Sequence, residues 1–435
     1  MTHPRTLLVD HGSSANLGDT AMLEGCTHEL RKVFPDATLH MVHRPGLRTA
    51  LESDGIAVRH PRYAIWPPRF PDAPPTTMLK RRMHRVYERH VRRQSSREAW
   101  DASLLRVLRK QVAATIALHP EGMLRLGEYC RRFDGLHVVG GGNLTDVFRI
   151  GTTERVCLVR AFLEQSKPVI FTGQQIGPFR TQHYRDLVAE MLLQVSFVGL
   201  REPTDSVAFC EDAGLPAQRF EVMGDDSFGL AVDHGDTARR LLAARNVPDG
   251  YIAVNVRVGK YAAEHAEHID RIAETLDRLW EIHRRPFLVV PIALNRADSD
   301  IASGWALKQR MSTAEVRVLD DQDLTPSVVK AILGRAWGCL GVSYHFATFA
   351  LSHAVPAVCM YSGVYYSQKA RGVAAFWGDD RLAVSLDGST AGDLVEHVSG
   401  VFEDGPLRDH LRVRADEATR VWRRTFHERS IAAYS

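Results

Sequence analysis

His345 stands where an apolar strand, read from Gly338 to Val342, runs into a helix with an apolar stripe of Phe346, Phe349 and Ala350. Such a junction gathers free backbone N–H groups and the positive end of the helix dipole, so it can hold a phosphate or a carboxylate. An imidazole in the first helical turn beside that anion can donate a proton. The spacing makes Ser343 the N-cap and puts Tyr344 and His345 at an exposed helix start. Lys369 follows on the helix after the strand PAVCMY, which Pro356 opens. For a lone histidine, a hydrogen-bonded core position is the commoner explanation. The polar groups at the ends of the other strands reverse that preference.

After the first strand, RTLLVD, the segment HGSSANLGDTAMLEG places Asn16, Gly18 and Asp19 in a tight turn before a helix. Asn16 and Asp19 can hydrogen-bond a hydroxylated ligand, although a helix cap explains Asp19 as well. In VVGGGNLTD, the run Gly140, Gly141 and Gly142 implies close approach of another group to the backbone, with Asn143 and Asp146 facing the same space. TGQQIGPF carries Gln174 and Gln175, and GLREPTDS carries Arg201 ahead of a helix that Pro203 can begin. Arg201 reads either as an anion clamp or as an ordinary ion pair. VNVRVGKY puts Arg257 and Lys260 at the end of a strand in the second half.

These residues need a scaffold that brings strand ends together. Apolar runs alternate with helix-periodic segments along most of the 435 residues, which points to parallel sheets covered by helices. RTLLVD, TLHMVH, GLHVVG, PVIFTG and SFVGL supply one set of strands; YIAVNVRV, PFLVVPIA, EVRVLD, CLGVS, PAVCMY and LAVSL supply another. The expected architecture is α/β, with two Rossmann-like domains facing a cleft as in the GT-B fold. The divisions fall at 1–225, 226–405 and a C-terminal helix, 406–435, that could cross back to the first domain. Ligands in such sheets bind beyond the carboxyl ends of the strands. A proline-rich and then basic stretch, about 61–130, reads as a helical insertion in the first domain.

Residues 80–110 hold eleven Lys or Arg against three acids, although the whole chain carries only +3. This segment reads either as a solvated insertion or as a contact for an anionic partner, including a peripheral contact with a membrane surface. No nucleic-acid-binding motif accompanies it. The six cysteines show no paired metal-ligand spacing, so no metal site is expected, and they suit buried thiols in a reducing compartment. With no long apolar run and no signal-like N-terminus, the expected location is the cytoplasm.

Taken in order, N-x-G-D at Asn16 to Asp19, GGGN, GQQIGP, RE-x-x-S at Arg201 to Ser206, and Tyr344-His345 with Pro356 and Lys369 resemble the polysaccharide pyruvyl transferase family across nearly the whole chain. The resemblance implies a GT-B-like transferase that moves a pyruvyl group from phosphoenolpyruvate to two hydroxyls of a saccharide or glycoconjugate as a cyclic ketal. It implies no cofactor, and an acceptor that is a cell-surface glycan or its precursor, anionic or lipid-linked precursors included. By motif position His345 becomes the acid, with Asp146 or Asp19 activating a hydroxyl. Arg201, Ser343, Tyr344, Lys369, Arg257 and Lys260 form the donor side; Asn16, Gly18, Gly141, Gly142, Asn143, Gln174 and Gln175 form the acceptor side. Many family members carry arginine two residues before the histidine, where this chain has Ser343. That departure keeps open a different anionic donor or a sugar-nucleotide glycosyltransferase; a non-catalytic binding module is the third reading.

Overall fold

The computed structural model describes residues 6–12, 16–42, 57–59, 127–233, 236–257, 265–294, 299–312, 315–321 and 324–435. Residues 60–126, with most of the expected basic insertion, and Lys260 lie outside these.

Two parallel sheets carry the fold. The first comprises β1 (Thr6–Asp10), β2 (Thr38–Val42), β3 (Ala57–Arg59), β4 (Gly135–Val138), β5 (Gly141–Leu144), β6 (Val169–Ile176), β7 (Phe197–Leu200) and β8 (Phe220–Val222). Its order is β3-β2-β1-β4-β6-β7-β8, with β5 paired to β6 beside this path. The second comprises β9 (Ile252–Asn255), β10 (Phe287–Val289), β11 (Val316–Val318), β12 (Gly338–Gly341), β13 (Ala357–Tyr361) and β14 (Ala383–Ser385), in the order β11-β10-β9-β12-β13-β14. Both have the Rossmann sequence of strands, in which the chain direction of progress reverses beside the first strand and opens a crevice at the carboxyl ends. The crevice lies between β1 and β4 in one sheet and between β9 and β12 in the other. Strands such as TLLVD, GLHV and IAVN are buried along nearly their whole length, because helices cover both faces.

Three short strands depart from the sequence expectation. GGNL, read as a loop after a strand, is β5, and Ala57–Arg59 and Phe220–Val222 add β3 and β8. Each has only three or four residues, too few for a period to register. Five of the six cysteines are buried and all six are free thiols, and no described helix is long and apolar enough to cross a membrane.

The two halves are tied together at several points. Leu17 N donates to Ile292 O at 2.8 Å, where the first helix (Leu17–Val33) meets the end of β10. Gln368 Nε2 donates to Ile176 O at 2.9 Å. The C-terminal helix (Gly405–Tyr434) begins on the second half, where Arg408 donates to Trp337 O and Phe402 O. It ends on the first, where Tyr434 Oη donates to Leu136 O at 2.8 Å. Midway, fully buried Trp422 donates from Nε1 to Asp226 Oδ1 at 3.0 Å and packs over Gly229, where a β-carbon would come within 2.3 Å of its ring.

Trp422→Ala therefore removes an aromatic side chain and a donor to a buried carboxylate together. We expect a loss of about 3–5 kcal/mol in urea-induced unfolding. A loss below about 1 kcal/mol, the scale of a surface substitution, would mean that this helix is not part of the common core.

Candidate active site

The crevice of the second sheet is flanked by Arg257, just after β9, and by Ser343, Tyr344 and His345, just after β12. Opposite them lie the ends of the first sheet: Gly142 in β5, Gln175 in β6, and Arg201 after β7. Gly142 marks where the two sides meet. A β-carbon there would stand 3.1 Å from Arg201 Nη2, 3.3 Å from Lys369 Cε and 3.5 Å from Gln175 Oε1, so the glycine leaves room for both cations.

Arg201 is only 2 % exposed, and its setting is closely specified. Nη2 donates to Gln175 Oε1, the guanidinium lies 3.7 Å from the Tyr344 ring centre, and Nη1 sits 3.8 Å from Asp225 Oδ2. Stacking and hydrogen bonding together fix the orientation of the guanidinium. The glutamate of the RE-x-x-S motif has a separate task. Glu202 accepts from Thr204 N and from Ser206 N, both at 2.7 Å, and so caps the helix that begins at Asp205 rather than at Pro203.

His345 is 6 % exposed, which corrects the expectation of an exposed helix start. Its position is set from both domains. A β-carbon on Gly18 would fall 2.0 Å from His345 Nδ1, so the ring fits against the start of the first helix because residue 18 has no side chain. On the other side Nε2 faces Asp225 Oδ2 at 3.7 Å. Burial pushes the imidazole pKa down to about 4; Asp225 opposes this shift, and the cations Arg201, Lys369 and Arg257 add to it. Ser343 occupies the N-cap, but its side chain makes no capping hydrogen bond, so the backbone alone forms the helix start.

Lys369 lies with its Nζ 4.1 Å from the Tyr365 ring centre. Burial, with Arg201 and Arg257 nearby, holds its pKa well below the ordinary lysine value, against the opposing charge of Asp19. Arg257 is differently placed: burial works against its charge, but a two-point pair with Asp300, at 2.8 and 3.2 Å, more than offsets that and raises its pKa. Asp300 also accepts from Ile292 N and Ala293 N, both at 2.9 Å, so the arginine is anchored to the turn that the first helix contacts.

Other expected residues also make contacts that hold the scaffold. Asn16 caps the first helix by accepting from Gly18 N at 2.9 Å. Gln174 Nε2 donates to Val139 O and Thr172 O at 2.9 and 2.8 Å. Asp146 Oδ2 accepts from Arg180 N and Thr181 N at 2.8 and 2.9 Å, which fixes the loop after β6. Gly141, at φ +147°, curves the chain around the Asn143 amide. Asp19 and Asn143 approach each other around Gly12, where a β-carbon would lie 2.8 Å from Asp19 Oδ2 and 3.2 Å from Asn143 Nδ2.

Sequence reasoning missed the two acids that organise this region. Asp225 and Asp226 fall at the division expected between the halves and were not among the expected site residues, yet both are at most 1 % exposed. Asp226 accepts from Gly140 N at 2.8 Å, Thr172 Oγ1 at 2.6 Å and Trp422 Nε1 at 3.0 Å, and burial raises its pKa to about 7 against those bonds. The doubled acid after glycine in MGDDS was the available signal. A further buried pair, Arg155 Nε with Asp10 Oδ2 at 2.7 Å, sits at the end of β1.

Four polar atoms in this cluster are buried without a hydrogen-bond partner: Arg201 Nε, Gln175 Nε2, Asp225 Oδ2 and His345 Nε2. Buried groups of this kind cost stability, and the four gathered at one strand-end crevice make it the candidate site for a polar ligand. With Lys369 and Arg257 beside them, the field favours an anion.

The comparisons agree with this geometry. HepE from Anabaena in complex with UDP-glucose is 12 % identical, with a TM-score of 0.58 over 98 % of both chains. The UDP-GlcNAc 2-epimerase from Neisseria meningitidis bound to UDP-GlcNAc is 14 % identical, with a TM-score of 0.57 over 98 % of this chain and 100 % of that one. These likenesses establish the GT-B-like fold. The amylovoran biosynthesis protein AmsJ of Erwinia amylovora is 22 % identical over 322 residues, 69 % of this chain and 73 % of that protein. The profile of the polysaccharide pyruvyl transferase family matches residues 16–363, from the cap of the first helix to the start of the Lys369 helix, and the chain is a transferase belonging to that family.

Proposed function

We propose that the chain transfers a pyruvyl group from phosphoenolpyruvate to two hydroxyls of a saccharide or glycoconjugate, forming a cyclic ketal. The observation that carries this reading is the cluster of unpartnered buried polar atoms among Arg201, Lys369 and Arg257, beside an imidazole. The donor has a phosphate, a carboxylate and a methylene carbon that must be protonated, and the cluster offers cations for the first two and His345 for the third.

In this reaction the His345 N–H bond breaks as a C–H bond forms at the methylene carbon. An acceptor hydroxyl oxygen bonds to the adjacent carbon, and the carbon–oxygen bond to phosphate breaks with its electron pair leaving on phosphate. A second hydroxyl closes the ketal. Of the two hydroxyl protons, one restores His345 and the other leaves with phosphate. Arg201 and Lys369 stabilise the departing dianion in a site that excludes water, where such contacts count most. Arrival of the donor also raises the proton affinity of His345 and Lys369, because it offsets the cations that depress both. Asp19, on the first-domain side, relays a hydroxyl proton toward His345; Asp146 Oδ2 accepts from the backbone of Arg180 and Thr181.

A second reading has specific support. HepE and the Neisseria epimerase are described with bound UDP-sugars, and Ser343 replaces the arginine usual in the family. Incubation with phosphoenolpyruvate and a glycan panel separates the readings. Pyruvyl transfer releases inorganic phosphate in step with a mass gain on the acceptor, whereas glycosyl transfer requires a sugar nucleotide and releases a nucleotide.

Four variants test the roles. His345→Gln and His345→Ala should both lose about 10²- to 10⁴-fold in kcat if the ring supplies a proton, because Gln retains a hydrogen bond but no transferable proton; substantial rescue by Gln would assign a binding role instead. Gly18→Ala forces the imidazole from its seat, and a displacement of this size should cost about 10²-fold in turnover with the fold retained by circular dichroism. Unchanged turnover would show that the ring's position is immaterial. Ser343→Arg should lower KM for phosphoenolpyruvate, and weaker binding in a folded variant would count against that donor.

A further inference from the structure

Asp225 is drawn on by two neighbours but fully used by neither. Its Oδ1 accepts from Ser227 N at 2.9 Å, which fixes the carboxylate, while Oδ2 has no hydrogen-bond partner and faces Arg201 Nη1 at 3.8 Å and His345 Nε2 at 3.7 Å. Arg201 is held without it, by Gln175 and by the Tyr344 ring. His345 Nε2 has no other polar partner. The ring's second nitrogen, Nδ1, abuts Gly18.

We infer that Asp225 is the positioning residue of the transfer: its carboxylate pairs with the His345 imidazolium through Nε2 and leaves Nδ1 as the nitrogen that gives up its proton. This rests on the reading of His345 as the acid. The arrangement answers an electrostatic problem. Arg201 from the end of β7, Lys369 from its helix and Arg257 from the end of β9 all oppose a positive imidazole, and burial adds to them. Asp225 is the counter-charge directly facing the ring. Lys330, whose pKa burial lowers to about 8, feels the same carboxylate. Tyr344, on the histidine's own helix, is kept protonated by burial and Asp225, while Asp19 reaches the group from the first helix through Lys369. No proton need pass to Asp225 at any step.

Asp225→Asn tests this, since the amide oxygen can still accept from Ser227 N. The His345 imidazole is followed by NMR on histidine-labelled protein, its signal identified by its absence in His345→Gln. The midpoint should fall by about one unit or more in Asp225→Asn. With phosphoenolpyruvate as donor, kcat should drop about 10²-fold and the alkaline limb of the profile, on which a general acid loses its proton, should move to lower pH. KM for the donor should stay level or fall, because a negative charge has left an anion site; general damage would raise it. Asp225→Glu should recover part of both effects. Should Asp225→Asn not fold, Asp225→Ser, which also retains an acceptor, is read in the same way. An unmoved imidazole midpoint overturns the inference. A shifted midpoint in a wild-type protein that releases no phosphate from phosphoenolpyruvate upholds the pairing and instead removes the donor assignment.

Discussion

Two adjacent buried carboxylates hold this structure and its site together. Asp226 turns inward, accepting from the backbone after β4, from β6 and from the C-terminal helix, and so joins elements far apart in sequence. Asp225 turns outward to the cations and the imidazole of the crevice. Consecutive residues can face opposite ways because the turn begins at Gly224, whose φ of +95° suits glycine and whose missing β-carbon makes room for the Phe228 ring. Leaving one of these carboxylates buried without its partners would cost more than any surface interaction could return. The packing of the C-terminal helix and the charge balance of the site therefore share one turn.

The topology decides where chemistry can occur. Both sheets reverse their order at a point beside their first strand, and both crevices open at the carboxyl ends. Contacts from Leu17 to Ile292 and from Gln368 to Ile176 hold the crevices against each other. Arg201 and His345 come from different sheets, so a site requiring both exists only in this closed arrangement. Arg201, Lys369 and Arg257 gather there, and burial together with the two arginines lowers the proton affinity of Lys369.

Much of the scaffold was legible in the sequence, because strands such as TLLVD and IAVN are continuous apolar runs separated by helix-length segments. The residues at their ends, Arg201, Tyr344, His345 and Lys369, could be read as a group once strand ends were weighted. What the sequence hid was direction. Gln174 and Gln175 are neighbours in one motif, yet Gln174 is spent on backbone carbonyls and Gln175 reaches Arg201. Asp146 gave no sign in the sequence of the two backbone donors that hold its Oδ2. His345 looked exposed because nothing local indicates that Gly18, more than three hundred residues earlier, receives its ring. Long-range closure of this kind leaves no periodic trace, and the doubled aspartate of MGDDS gave only the hint of a turn.

The most direct test is a crystal structure of the chain with phosphoenolpyruvate. The account predicts the ligand within the crevice, its phosphate and carboxylate against Arg201 and Lys369 and its methylene carbon facing His345. Phosphoenolpyruvate bound away from those three side chains, or displaced from them by a sugar nucleotide at comparable concentration, would contradict it.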